Sequence, residues 1–257
     1  MWFPRLPSDR ALRAHPVDGA FALTLSEANA VRLYCLNPEA ERQGLHRDMS
    51  YADARAFCPR LQSRPADVIG DARFLQTLRR WATRYCPWVG FEGEDGLVLD
   101  VTGAAHLFGG EAAMLADMRG RMAHARITLR LGLGDSRGAA WALAHSGEGC
   151  AEPDRPHAAL AGLPVAALRL DDGTITALQR LGLRSIGALE AAPRAALARR
   201  FGPGLLLRLD QALGRQGEQV APEAEPPHYG VRLTFPDPIG LVEDVMAGTA
   251  RLLDQLC

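Results

Sequence analysis

Apolar positions along the first 147 residues follow two different periods, and their alternation sets the expected order of elements. Residues 1–6 are apolar but interrupted by Pro4 and closed by Pro7, which predicts a first or edge strand. Residues 21–25 and 31–36 are strand-like runs. After them 39–43, 51–57 and 72–85 take helical spacing, with Asp48, Ser50 and Asp71 near N-caps and Pro38, Pro59 and Pro87 as punctuation. Residues 89–91 and 96–101 predict a hairpin around the acidic turn 92–95. Helix 110–124, strand 128–133 and helix 136–145 complete a β-α-β-rich pattern that suits a mixed α/β sheet.

The pattern changes beyond the polar Gly/Pro stretch 147–155. Short Ala/Leu/Arg helices are expected at 175–181, 185–191 and 194–200, joined by glycine-containing turns, with a longer one at 204–213. Two architectures produce this texture: helix-hairpin-helix DNA binding and a simple packed helical domain. The acidic, proline-rich stretch 217–227 reads as a linker. Residues 229–235 then read as a strand and 241–256 as an amphipathic helix, a unit that by itself makes only the start of a domain, so a truncation is expected.

Composition narrows the class. A chain of 257 residues with 47% apolar and 23% charged residues suits one to three domains. It contains no run of about 18 apolar residues and no signal-peptide pattern, so a cytoplasmic protein without a membrane partner is expected. The net charge of −1 conceals an uneven distribution. Residues 1–165 carry 19 Arg against 19 Asp plus Glu, residues 166–217 carry 8 against 4, and residues 218–257 carry 2 against 7. Lysine is absent, so no lysine ammonium acts anywhere in the chain. Cys35, Cys58, Cys86, Cys150 and Cys257 are scattered, which indicates neither a zinc site nor a disulfide framework. His106, His124, His145 and His157 lack metal-ligand spacing. Gly132, Gly134 and Gly138 lack the full dinucleotide fingerprint and are read as close packing.

Three segments in order carry a resemblance. Residues 37–49 (Asn-Pro-Glu-Ala-Glu-Arg-Gln-Gly-Leu-His-Arg-Asp-Met) followed by Ala-Arg-Ala-Phe-Cys-Pro at 54–59 are similar to the fingers of Y-family translesion DNA polymerases. Asp-Gly-Leu-Val-Leu-Asp-Val-Thr-Gly at 95–103 resembles the palm hairpin of that family. Leu-Pro-Val at 163–165, Leu-Gly-Leu at 181–183 and Arg-Arg-Phe-Gly at 199–202 resemble its thumb. Trp-Phe-Pro-Arg-Leu-Pro at 2–7, Ala-His-Leu-Phe-Gly-Gly at 105–110 and Asp-Gln-Ala-Leu-Gly at 210–214 are closer to the ImuB branch than to active members. The resemblance implies an α+β fold: a palm at 1–10 and 74–165, small fingers at 11–73, a helix-hairpin-helix-like thumb at 166–217, a linker at 218–227 and the start of an incomplete little finger at 228–257.

The chemistry implied by that family is then tested position by position. Template-directed synthesis uses two magnesium ions about 3.5–4 Å apart, held by carboxylates. The first strand offers none before Asp9, and anchoring on Leu99-Asp100-Val101-Thr102 places Asp95 at the aspartate and Gly96 at the glutamate of the adjacent acidic pair. Before a glycine, Asp95 reads first as a turn former. The triphosphate-binding Tyr, Arg and Lys of active relatives match Pro38, Glu41 and Trp141. In the thumb, residues 169–173 replace glycines that present amides to a DNA phosphate, and Asp171 and Asp172 there repel phosphate. Arg180, Arg184, Arg194, Arg199 and Arg200 remain for nonspecific DNA binding, although a solvated helical face accounts for them as well. The expectation is a catalytically inactive adaptor in translesion synthesis and SOS mutagenesis, without metal or cofactor. The resemblance implies as partners DNA, bound weakly, the sliding clamp, the RecA-like protein ImuA and an error-prone replicative-type polymerase. An active translesion polymerase and a plain helix-hairpin-helix DNA-binding protein are the alternatives.

Overall fold

The protein was described from a computed structural model, which covers residues 1–27, 30–147, 149–151, 156–222, 233–235 and 240–256. It divides into two compact units, Met1–Pro222 and Glu223–Cys257. In the first, Pro7 does not end a strand. It sits in the first turn of a helix, α1 (Leu6–Ala14), where its fixed φ is already helical and its missing N–H is not needed. Only the residues before α1 are extended. Trp2 bridges Gly96 on one side and Arg130 on the other, through Trp2 N–H to Arg130 O (2.9 Å), Arg130 N–H to Trp2 O (2.8 Å) and Leu97 N–H to Met1 O (2.9 Å). Trp2 is thus bridged on both flanks, by isolated pairs and not as the edge of a longer strand.

The next elements form a small three-stranded sheet. β1 (Phe21–Glu27) pairs antiparallel with β2 (Ala30–Leu36) and parallel with β3 (Gln62–Pro65). Its pleat separates Ala22 from Phe21 and Leu23. Ala22 joins Leu33, Leu36, Ala40, Ala54 and Leu61 beneath α2 (Pro38–Arg42) and α3 (Tyr51–Phe57), while Phe21, Leu23 and Cys35 face Ala11 and Leu12 of α1. β3 escapes sequence reading because Gln62-Ser63-Arg64-Pro65 has no apolar alternation and is held by its backbone.

α4 (Val68–Ala82) starts earlier than expected, because its N-cap is Asp67, which accepts from Gly70 N–H at 2.9 Å. Asp71 is instead buried and paired with Arg10 at 2.6 Å. β4 (Val89–Phe91) and β5 (Leu97–Leu99) form the expected hairpin. α5 (Glu111–His124) follows a 3-10 turn at Ala105–Phe108 and covers the hairpin side with Met114, Leu115 and Met118. The predicted strand 128–133 shrinks to β6 (Gly132–Leu133), which pairs in parallel with β7 (Gly149–Cys150). Between them, α6 (Arg137–Ala142) runs into a π-helical turn at Leu143–Gly147.

Beyond α7 (Pro156–Leu160) come a 3-10 turn at Val165–Leu168 and the short helices α8 (Asp172–Arg180), α9 (Ile186–Ala191), α10 (Arg194–Phe201) and α11 (Pro203–Ala212), close to their predicted positions. Their apolar faces share one core with α6: Ala139, Ala142 and Leu143 pack with Leu178, Leu189, Leu205 and Leu209. The contact is at backbone distance. A Cβ on Gly138 would lie 2.8 Å from Ala212 Cα, so only glycine permits the approach. The expected linker 218–227 is described only as far as 222, and the expected strand 229–235 only at 233–235; the rest of both lies outside the described residues, as does most of the stretch 148–155. The second unit contains α12 (Val242–Leu256), with the Phe235 ring against Gly248.

Candidate functional site

The turn between β4 and β5 delivers Asp95 to the extended N-terminal residues Trp2 and Phe3. Phe3 N–H donates to Asp95 O (2.8 Å), and Glu92 N–H to Gly96 O (2.9 Å) closes the turn. A Cβ on Gly96 would stand 2.5 Å from Glu92 O, so this position accepts no side chain without moving backbone. The Asp95 carboxylate accepts a hydrogen bond from Trp2 Nε1 at 2.9 Å. The Trp2 ring stacks on His145 (centroids 4.3 Å apart, 22° between planes), and Trp141 stacks on the same imidazole (3.8 Å, 15°). Two rings at that spacing occupy opposite faces, so His145 is sandwiched. Its Nδ1–H donates to Trp141 O at 2.9 Å. Burial pushes the His145 pKa below its usual value, against the upward pull of that bond and of Asp95. Arg130 lies over Trp2 at 5.5 Å from the ring centroid.

Asp95 and Trp141, matched in sequence to a metal ligand and a phosphate-binding lysine, are therefore brought together by two residues that sequence reasoning passed over. Trp2 enters the sequence reading as part of the 2–7 motif and of a first strand without a carboxylate, with no contact assigned to its indole. His145 was read as isolated, although its i,i+4 spacing from Trp141 places the two rings on one helical face.

Pro38 and Glu41 lie apart from this stack, on α2, whose N-cap Asn37 accepts from Ala40 N–H at 2.9 Å. Glu41 forms an ion pair with Arg5, which reaches it through Nε (3.3 Å) and a terminal nitrogen, and this bond pushes the Arg5 pKa further up. Arg47 donates to Pro4 O at 2.8 Å. Glu41 thus has its own internal cation.

Segment 169–173 joins the 3-10 turn to α8. Arg169 is left-handed (φ 55°), and Asp171 is the N-cap, accepting from Thr174 N–H (2.9 Å) and Thr174 Oγ1 (2.7 Å). Those two bonds hold the Asp171 pKa below the usual carboxylate range. The carboxylate occupies an amide that an incoming phosphate would otherwise take. Arg180, Arg184, Arg199 and Arg200 are exposed, with Arg200 over Phe201 at 5.8 Å. Arg194 is committed to Asp210 by two bonds of 3.0 and 2.6 Å.

A cleft of about 640 Å³ opens between β5, β6, α5 and α6, floored by Leu97, Met114, Met118 and Leu131 and edged by Asp100 and Arg137. Residues 214–222 form a strap along it. Glu218 is nearly buried between Arg169 (2.6 Å) and Arg208 (3.5 Å), Arg137 donates to Gln219 O (3.4 Å) while pairing with Glu92 (2.6 Å), and Ala221 O would lie 2.7 Å from a Cβ on Gly90. Among the described residues no group of three or more His, Cys, Asp or Glu is arranged to hold a metal ion, and no helix is long and apolar enough to cross a membrane.

Residues 17–145, half of the chain, match the model of the impB/mucB/samB family. Two curated relatives, each called Protein ImuB and both from Caulobacter vibrioides (strains NA1000 / CB15N and ATCC 19089 / CIP 103742 / CB 15), are 44% identical over 216 residues. That alignment covers 83% of this chain and 47% of theirs, so the chain spans about half the length of the curated relatives it matches. Among solved structures, a post-insertion binary complex of Dbh DNA polymerase is similar with a TM-score of 0.72 at 16% identity, over 99% of this chain and 77% of that one. DinB from Sulfolobus solfataricus gives 0.70 at 16% identity, over 85% and 67%. A Y-family DNA polymerase chimera gives 0.71 at 17%, over 99% and 78%. These structural likenesses establish the fold.

Proposed function

This chain belongs to the impB/mucB/samB family and has a Y-family-polymerase-like fold, and from that premise we propose that it is a non-catalytic adaptor of translesion synthesis. The observation that carries this reading is the hydrogen bond from Trp2 Nε1 to Asp95. In a two-metal site the carboxylates of neighbouring strands converge on the cations. Here the Asp95 carboxylate is held by an indole from the adjacent N-terminal segment, and that indole is fixed in turn by its stack on His145, which Trp141 backs. The Arg5–Glu41 pair supports the same reading, because Glu41 faces a triphosphate with repulsion and engages a nearby cation itself.

In this proposal residues 1–10 and 74–165 act as palm, 11–73 as fingers, 166–217 as thumb, 218–227 as linker and 228 onward as the start of a little finger. Arg180, Arg184, Arg199 and Arg200 supply a weak, nonspecific attraction to DNA, with Arg194 contributing less because Asp210 neutralises it. The adaptor works in the cytoplasm during SOS mutagenesis, and its partners are the sliding clamp, ImuA and an error-prone replicative-type polymerase that performs the synthesis.

Primer extension with purified protein, a primed template, all four nucleotides and magnesium tests the reading. No extension is expected. Template-dependent extension that disappears in Asp95→Ala would overturn it in favour of an active translesion polymerase. Co-purification of the longer protein with clamp and polymerase tests the partner set.

A further inference from the structure

We infer that residues 214–222 are a latched tether, in which the Glu218 carboxylate, held by Arg169 and Arg208, ties down chain that otherwise adds to the reach between the two compact units. The boundary between the units falls between Pro222 and Glu223, immediately past this strap. The inference does not depend on the adaptor reading, because it concerns only how the connection is fastened.

The strap has little else to hold it. The apolar core shared by α6 and the short helices ends at Leu213, and no residue of 214–222 belongs to a core cluster. Its first residues are tied back to α11, through Arg215 N–H and Gln216 N–H to Asp210 O at 2.8 and 3.2 Å. From 217 to 222 no backbone–backbone hydrogen bond is formed among the described residues. A segment with neither apolar burial nor a backbone ladder opens readily unless its side chains fasten it.

One side chain does so. Glu218 is only 9% exposed although the strap residues beside it, Gly217 and Gln219, are exposed. It accepts from Arg169 at 2.6 Å and lies 3.5 Å from Arg208, whose guanidinium is itself steadied by Gln211 Oε1 at 3.1 Å. Bonds between charged partners of this kind are roughly twice as strong as neutral ones. The contacts further along are weaker. Arg137 donates to Gln219 O at 3.4 Å, near the limit for such a bond, while its Nε is committed to Glu92 at 2.6 Å. Ala221 O rests over Gly90, where the missing side chain leaves room for it: a Cβ there would be 2.7 Å away.

The length at stake is considerable. Residues 217–222, fully extended, span roughly 20 Å. While Glu218 is seated, that length lies along the first unit and contributes nothing to the connection. With Glu218 released, it joins the connection and lengthens it. The fold thus gives one connector two lengths, and the state of a single carboxylate selects between them.

The test uses the full chain with spin labels on exposed Cys150 and on Met246→Cys of α12, with Cys257→Ser confining the labels to those positions, since Cys35, Cys58 and Cys86 are buried. Glu218→Gln is expected to broaden the distance distribution between the labels and to extend its far edge by up to about 20 Å. Cutting after Glu-C protease reaches residue 218 is read by mass spectrometry in the wild type and in Gly90→Ala, whose added Cβ pushes Ala221 away without removing any charge partner. Gly90 lies in β4 with a backbone that alanine adopts, so this variant decides the matter where Glu218→Gln fails to fold. Gly90→Ala is expected to be cut after Glu218 at least about tenfold faster and to show the same lengthening. An unchanged distance distribution in a variant that is cut faster, or that carries glutamine at 218 and folds, overturns the tether. Unchanged cutting in Gly90→Ala together with an unchanged distribution in Glu218→Gln overturns the latch.

Discussion

Trp2 shows how one residue changes what its neighbours are able to do. Its N–H satisfies Asp95 and its ring closes a sandwich on His145. Trp2→Phe retains the stack and removes the donor, so a cost of about 1–2 kcal/mol is expected in urea denaturation, toward the lower end for a bond to a charged group because the site is only partly buried. Gly96 illustrates the opposite case, in which the residue type follows from space. Gly96→Glu restores the acidic pair on paper, but its Cβ meets Glu92 O at 2.5 Å. Destabilisation of about 1–3 kcal/mol is expected in calorimetry or denaturant titration, together with continued failure to extend a primer. The steric part of that outcome was not legible in sequence, where Gly96 was only a missing glutamate.

At the scale of elements, α1 is tied to the rest of the sheet by Asp9, whose carboxylate accepts from Thr128 N–H at 2.6 Å while 8% exposed. Desolvation raises its pKa, outweighing the lowering by the Thr128 bond. Stability from this group is therefore fully present below the unfolded carboxylate range, near 3.9, and is lost as pH rises through the higher folded value. Asp9→Asn keeps an acceptor without the ionisation, so its unfolding temperature relative to wild type is expected to rise as the pH goes from about 4 to 6; a constant difference counts against the assignment. The strands around Ala22 and Leu33 and the helices around Leu178 and Leu205 were legible because local period and burial agree. α1 and β3 were not. Pro7 carries opposite meanings in a strand and at a helix start, and Gln62-Ser63-Arg64-Pro65 is a strand only because β1 offers a partner. In the site, the hairpin motif exposed Asp95, and the match to the family's triphosphate-binding lysine exposed Trp141. The Trp2 and Glu41 contacts join residues far apart in sequence and carry no local signal.

At the scale of the molecule, the first unit is closed by Glu218, a nearly buried carboxylate held by Arg169 and Arg208. Glu218→Ala leaves Arg169 without its partner inside the fold, and breaking a buried pair this way costs about 3–5 kcal/mol. A lower unfolding temperature and faster proteolytic cutting within 214–222 are expected; unchanged digestion means the strap is held elsewhere. The surface arginines make a separate prediction. Duplex binding is expected to be weaker than about 1 µM at roughly 150 mM salt, and Arg199→Ala with Arg200→Ala should flatten the dependence of affinity on salt by about two phosphate contacts. An unchanged slope moves the contact away from α10.

The aromatic sandwich also gives the protein an optical identity. Two of its four tryptophans lie against a single imidazole at fixed angles. Such an arrangement couples their electronic transitions and gives a near-ultraviolet circular dichroism band that depends on ring geometry. Any ligand, partner or substitution that separates Trp2 from His145 alters that band. The state of the face that carries Asp95 is therefore readable in solution without a label.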